Sequence, residues 1–147
     1  MDAERDRLRG VYEATTYWVQ VAADRRIAIR VGGTAPAEID RLLASSGVET
    51  WAFITAVNPR SVRQSDAENA IRMARLVASV RGRGLGHLAA EGAGDATDWP
   101  PEPSLFVLGI TERDAVALAR AFDQHAIVVG RRGEPARLSW VGPRDTT

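Results

Sequence analysis

The apolar positions of this chain change period several times, and each change marks an element. Residues 11–21 are rich in aromatic and β-branched side chains, the composition of a strand. Glu13, Thr15, Tyr17 and Val19 would share one face, and Tyr12, Ala14, Thr16 and Trp18 the other. Residues 22–25 read as a turn and 26–31 as the second strand of a hairpin, stopped by Gly32 and Gly33. A helix is expected over about 35–46. Thr34 is its cap, Pro36 lies in its first turn, and Ile39, Leu42 and Leu43 form its apolar stripe, with Gly47 as the stop. Residues 49–57 are apolar on both faces and are the best candidate for a central strand.

Asn58-Pro59 ends that strand, because proline has no N–H for a ladder and restricts the residue before it. Ser65 and Glu68 form a capping box that opens a helix running to about residue 81. Two apolar rows are expected on it, Ile71, Ala74 and Ala78 with Val77 alongside, and Met73, Leu76 and Val80. Asn69 falls in register with the second row, at the edge of the buried side. A short strand is expected over 85–90, a loop over 91–98, and a stiff proline-rich stretch over 99–104. A strand over 105–110 leads to a second capping box at Thr111 and Asp114. Its helix buries Ala115, Leu118, Ala119 and Phe122. Residues 125–130 and 136–141 close the chain as a hairpin.

The order ββαβα(β)βαββ predicts an α+β fold: one domain over residues 1–147 with a mixed β-sheet and about three helices. The core is expected over about 11–141, with flexible ends at 1–9 and 142–147. The first nine residues allow a short charged helical turn or a frayed arm.

Composition removes several chemistries. The chain has no cysteine, which excludes disulfides, zinc–thiolate sites and cysteine nucleophiles. It has no lysine, so all 19 basic residues are arginine. Anion recognition must then use guanidinium forks, backbone N–H groups or neutral polar side chains. The 19 acidic residues balance the charge, which argues against a broad nucleic-acid surface. His87 and His125 lie far apart without metal-ligand spacing, so neither a metal site nor a cofactor is expected. No apolar run reaches the length of a membrane span and no signal-like segment follows Met1, so a cytoplasmic location is expected.

Asparagine occurs only at positions 58 and 69, both within one strand–turn–helix. Asparagine suits turns and left-handed backbone better than strands or helix interiors. A loop entering a helix amino end offers free N–H groups, and here Arg60 and Arg63 precede that end beside Ser61, Gln64 and Ser65. Glu102, among Trp99, Pro100, Pro101 and Pro103, is the one candidate general base. The same carboxylate can equally pair with an arginine and lock its loop.

At these residues the chain resembles a bacterial family known as domain of unknown function 3293. The resemblance lies in Trp51-Ala-Phe-Ile-Thr-Ala-Val-Asn58-Pro59-Arg60-Ser61, Glu68-Asn69, Trp99-Pro-Pro-Glu102-Pro-Ser104 and Gln124-His-Ala-Ile-Val128, with Thr15-Thr-Tyr17 similar to the family's first strand. It covers about residues 12–138. The family often has Trp where Val57 stands and Asn where His125 stands, so those two positions are left out of the expected site. The resemblance implies a shared fold and a shared polar cluster, and no activity.

The expected site is one pocket formed by Thr15, Tyr17, Thr55, Asn58, Arg60, Ser61, Asn69, Ser104 and Gln124, with Glu102 as acceptor. Its expected ligand is small and anionic or nucleotide-like. Two other classes stay open: an enzyme acting on a phosphorylated or nucleobase-containing substrate with Glu102 as base, and a regulatory or interaction protein whose polar cluster is purely structural. Oligomeric state is not legible.

Overall fold

The structure is a computed structural model that describes residues 2–34, 36–95 and 100–142. Ala35, the segment 96–99 with Trp99, and the tail from residue 143 lie outside the described residues, and so do the expectations placed on them. In chain order the elements are α1 (Asp2–Glu13), β1 (Thr15–Ala22), β2 (Arg25–Ile29), α2 (Ala37–Ser45), β3 (Thr50–Ile54), a single 3-10 turn (Pro59–Ser61), α3 (Asp66–Gly82), β4 (His87–Gly94), β5 (Glu102–Leu108), α4 (Glu112–Ala121), β6 (Ala126–Arg131) and β7 (Arg137–Trp140). The α+β class holds. Among the described residues there are four helices, and seven strands form one sheet in the order β2-β1-β4-β5-β3-β6-β7. Every pairing is antiparallel, so the sheet is not the mixed one expected.

The physical reason lies in the crossovers. Helix α3 links β3 to β4 and α4 links β5 to β6, but in each case one strand sits between the pair being linked. That intervening strand runs the opposite way. The segment β3-α3-β4-β5-α4-β6 therefore has the split β-α-β plan of ferredoxin-like folds. The sheet is extended by β1 and β2 at one side and by β7 at the other.

The sheet curls. Gly32, just past one edge strand, donates its N–H to the Ala136 carbonyl beside the other edge strand at 2.8 Å. Two helices bridge the gap between the edges. Helix α2 pairs Glu38 with Arg25 of β2 and accepts at Asp40 from the Gly133 N–H of the β6–β7 turn. Helix α1 sets Tyr12 edge-on to Trp140 of β7, while Tyr17 of β1 donates its hydroxyl to the Tyr12 carbonyl. Covered edges remove the unpaired N–H row that invites aggregation. Inside the curl Tyr17, Val19, Ile29, Trp51, Phe53 and Phe106 pack with Ile39 and Leu43 of α2. On the outer face Ile54, Leu105, Val107 and Ile127 pack with Leu76 and Val80 of α3 and with Leu118 of α4. Strand β3 is buried on both faces, as its unbroken apolar run requires.

Several local expectations need correction. Of the two readings open for the first residues, the helical one holds, from Asp2. The helix also takes in residues 11–13, expected as strand; Leu8 is buried and Tyr12, one helical turn on, packs against the inner core. Strand β4 runs on through the glycine-rich residues 91–94, expected as loop. There it is paired on both sides, Thr15 with Gly94 and Glu102 with Gly92, and long-range pairing outweighs local propensity. Helix α2 begins after Pro36 with no side-chain cap, so Thr34 does not cap it. On α3 the row headed by Ile71 faces outward, Ile71 itself being 54% exposed. The Leu76 and Val80 row takes the core. Both N-caps form: Ser65 Oγ accepts from the Glu68 N–H at 3.1 Å, and Thr111 Oγ1 from the Asp114 N–H at 3.1 Å. Among the described residues no helix is long and apolar enough to cross a membrane.

Gly130 sits beneath the buried Trp51 indole, and a Cβ there would overlap the ring. Gly130→Ala is expected to destabilise the fold by about 2–3 kcal/mol in urea unfolding. A wild-type midpoint would refute this packing.

Candidate functional site

Antiparallel alternation gathers the expected residues at one end of the sheet. There β1, β5 and β6 begin, at Thr15, Glu102 and Ala126, and β3, β4 and β7 finish, at Ile54, Gly94 and Trp140. The connection from β3 to α3 is the most constrained segment at this end. Asn58 (φ 48°), Arg60 (φ 53°) and Ser61 (φ 62°) all adopt left-handed backbone. Asparagine tolerates that region, whereas arginine and serine pay for it. Such outliers persist only where the surroundings over-determine them.

Asn58 supplies much of that determination. Only 6% of it is exposed. Its Oδ1 accepts from the Gln64 N–H at 2.9 Å and from Asn69 Nδ2 at 3.0 Å. Its Nδ2 donates to Glu102 Oε2 at 2.7 Å, and its backbone N–H donates to Asn69 Oδ1 at 3.0 Å. The two asparagines, eleven positions apart and reaching a partner forty-four positions away, thus tie the exit of β3, the start of α3 and the start of β5 together. Thr55 Oγ1 donates to the Pro103 carbonyl at 2.7 Å and accepts from the Val57 N–H, which takes residues 55–57 out of the ladder and shortens β3. Ser104 is buried and donates to the Glu102 carbonyl at 3.0 Å.

On the far side of the turn, Gln124 Nε2 donates to the carbonyls of Val57 at 3.1 Å and Phe122 at 3.2 Å. Arg72, expected on the polar face of α3, instead clamps the Ala56 and Phe122 carbonyls at 2.6 Å each. Nothing in the periodicity of α3 separates it from Arg75, so the sequence could not single it out. The Arg60 N–H donates to the Asp123 carbonyl at 2.7 Å, and its guanidinium lies 3.7 Å from the Asp123 carboxylate while 55% of its side chain stays exposed.

The expected single pocket is divided, because the left-handed turn stands as a wall between two clefts. One, of about 270 Å³, is bordered by Asn58, Asn69, Gln64, Arg63, Met73 and Pro103. The other, of about 240 Å³, lies on the α1 side and takes in Arg60 and Gln124 together with Arg5, Arg120, His125 and Trp140. Glu102 borders neither of these two. Thr15 bonds to the Val11 carbonyl and Tyr17 is buried within the curl, while Ser61 is exposed on the turn. The amino end of α3 already carries Asp66 and Glu68 and its own serine cap, so its positive end is complemented from within. Arg5, Arg120 and Trp140 were not among the expected residues. They come from α1, α4 and β7, and only the curl of the sheet brings them together.

Two tyrosines stand behind the network. Burial, and then the nearby Glu102 charge, push the Tyr12 phenol up to about 12. Burial, followed by Tyr12, also raises Tyr17 well above the ordinary tyrosine range.

The model of the family described as protein of unknown function (DUF3293) matches residues 54–127. The chain belongs to that family. The DUF3293 match begins at the last residue of β3 and takes in Asn58, Asn69, Glu102 and Gln124, the whole of the asparagine network. It leaves out α1 and Trp140, which complete the cleft on the Arg60 side. No curated protein and no solved structure matches the chain at a significant level.

Asn58→Ala strands buried donors and puts alanine in left-handed backbone, so a loss of about 3–5 kcal/mol is expected in urea unfolding. Asn58→Gly should recover about 1 kcal/mol of that by relieving the backbone alone. Equal losses in the two variants would show that the conformation costs nothing.

A pH dependence follows from the tyrosines. Their folded-state affinity for the proton exceeds the unfolded one, so the stabilisation is complete below the unfolded value near pH 10 and fades as pH rises towards 12. No lysine or cysteine titrates in that window. Stability should fall by about 2–3 kcal/mol across it from Tyr12 alone, and Tyr12→Phe should flatten the slope. Ultraviolet titration of both phenols near pH 10 in the folded protein would contradict this.

Proposed function

We propose that this protein is a small-molecule-binding domain whose ligand is a small anion, held in the cleft between α1 and the Asn58 turn. The observation that carries this reading is the set of cationic groups bordering one hollow. Arg5, Arg60 and Arg120 meet there with His125, against the carboxylates of Glu4 and Asp123. Three guanidiniums against two carboxylates leave a net positive charge with the histidine neutral. Among the described residues the Arg5 guanidinium and the His125 ring make no hydrogen bond, and Arg120 spends one N–H on the Val141 carbonyl at 2.8 Å. Guanidinium donors that remain unspent beside a concave surface suit a carboxylate or phosphate.

The left-handed turn supports the same reading. It holds Arg60 in a costly conformation, and that conformation directs it to this cleft and away from the amino end of α3. The asparagine network serves as the brace behind it. The ligand is small: the hollow has room for roughly eight waters at about 30 Å³ each, less than a whole nucleotide occupies.

Thermal unfolding with phosphate, sulfate, acetate, succinate and benzoate, against chloride at equal ionic strength, tests the reading. An anion at about a hundred times its dissociation constant stabilises by roughly 2.7 kcal/mol, a shift of several degrees. Arg60→Asn keeps a residue that tolerates left-handed backbone and removes the charge, and it should abolish the shift. A flat response to every anion, or the same shift in Arg60→Asn, refutes the proposal.

A further inference from the structure

Resting on that reading, we infer that the ligand is an organic anion with a flat apolar body, a small aromatic carboxylate in chemical class, and not a bare oxyanion. The cleft is built from two kinds of surface. The Asn58 turn and the end of α4 bring charge, through Arg60 and Arg120. Helix α1 and β7 bring an apolar wall, the buried Leu8 side chain and the half-buried Trp140 indole. A site evolved for phosphate or sulfate alone has no use for the second surface, and a bare oxyanion would leave part of the space unfilled. Ligand sites commonly pair an apolar lining with a few charged groups that fix orientation, and this cleft has that division.

The apolar wall also favours a planar guest. Arg5 lies over the Trp140 ring with its guanidinium carbon 5.0 Å from the ring centroid, and Arg9 approaches the same ring at 5.7 Å. Tyr12 meets that ring edge-on at 6.4 Å between centroids, which fixes the indole plane. A guanidinium stacked on an aromatic ring presents a flat, weakly hydrated face to a third planar group. An aromatic ring placed along Leu8 and the Arg5–Trp140 stack can direct its carboxylate to Arg60 and Arg120. Both requirements are then met by one molecule of the right size.

Calorimetric titration of the full chain with benzoate, acetate, benzamide and inorganic phosphate decides the point. Benzoate is expected to bind at least tenfold tighter than acetate or phosphate, and benzamide, which keeps the ring without the charge, not at all. In Trp140→Leu the benzoate affinity should fall about tenfold to the level of acetate, with acetate and phosphate unchanged. If that variant does not fold, the four ligands on the wild-type chain decide alone. Acetate and phosphate binding as tightly as benzoate would overturn this inference and leave the anion cleft standing. Absence of binding by all three anions would overturn both, and binding of benzamide equal to benzoate would show a purely apolar pocket.

Discussion

One side-chain amide sets the geometry of this molecule's functional end. Asn58 holds left-handed backbone and engages both ends of its carboxamide at once, with Gln64 and Asn69 at the oxygen and Glu102 at the nitrogen. Few residues can replace it. Aspartate of the same shape has no donor for Glu102, and alanine has neither the polarity nor the tolerance of that backbone. Buried polar networks of this kind are costly when incomplete and rigid when complete. Here the network is closed, with Asn69 returning a bond to the Asn58 N–H. What it fixes is the path of the next three residues, and with them the side on which Arg60 emerges.

The rest of the fold works to bring groups to that end. Because every strand pairs antiparallel with its neighbours, the starts of β1, β5 and β6 and the finishes of β3, β4 and β7 fall together. The curl draws the edge strands towards each other, and α1 and α2 fill the opening. Helix α1 is thereby both a plug for the inner core, through Tyr12, and one wall of the cationic cleft, through Arg5 and Leu8. A single element links stability and the candidate site.

The turn and the helix start that carry the two asparagines were legible from sequence because their signal was local. Two asparagines in a chain otherwise without them, a proline after one and a capping box before the other, put the turn and the helix start where they are found. Strand β3 and the helices α3 and α4 were legible for the same reason, from unbroken or periodic apolar runs. What escaped depends on distant partners. Residues 91–94 look like loop until β1 and β5 are placed beside them. Residues 2–9 allow a helical turn or a frayed arm until the burial of Leu8 decides for the helix. The meeting of Arg5, Arg120 and Trp140 with Arg60 spans nearly the whole chain and leaves no trace in any window of it. The one-pocket expectation failed because left-handed backbone at Arg60 and Ser61 is a tertiary outcome, and it turns Arg60 away from Asn69.

Native-state hydrogen exchange tests the central constraint most directly. The backbone amides of Asn58 and Gln64 lie in irregular structure and donate only to side-chain oxygens of Asn69 and Asn58. If the network holds the turn, these two amides exchange only through the opening that releases the β3 amides, and far more slowly than exposed loop positions. Exchange of both at the rate of an ordinary surface loop would mean that the turn is not braced, and the account of how Arg60 is placed would fall with it.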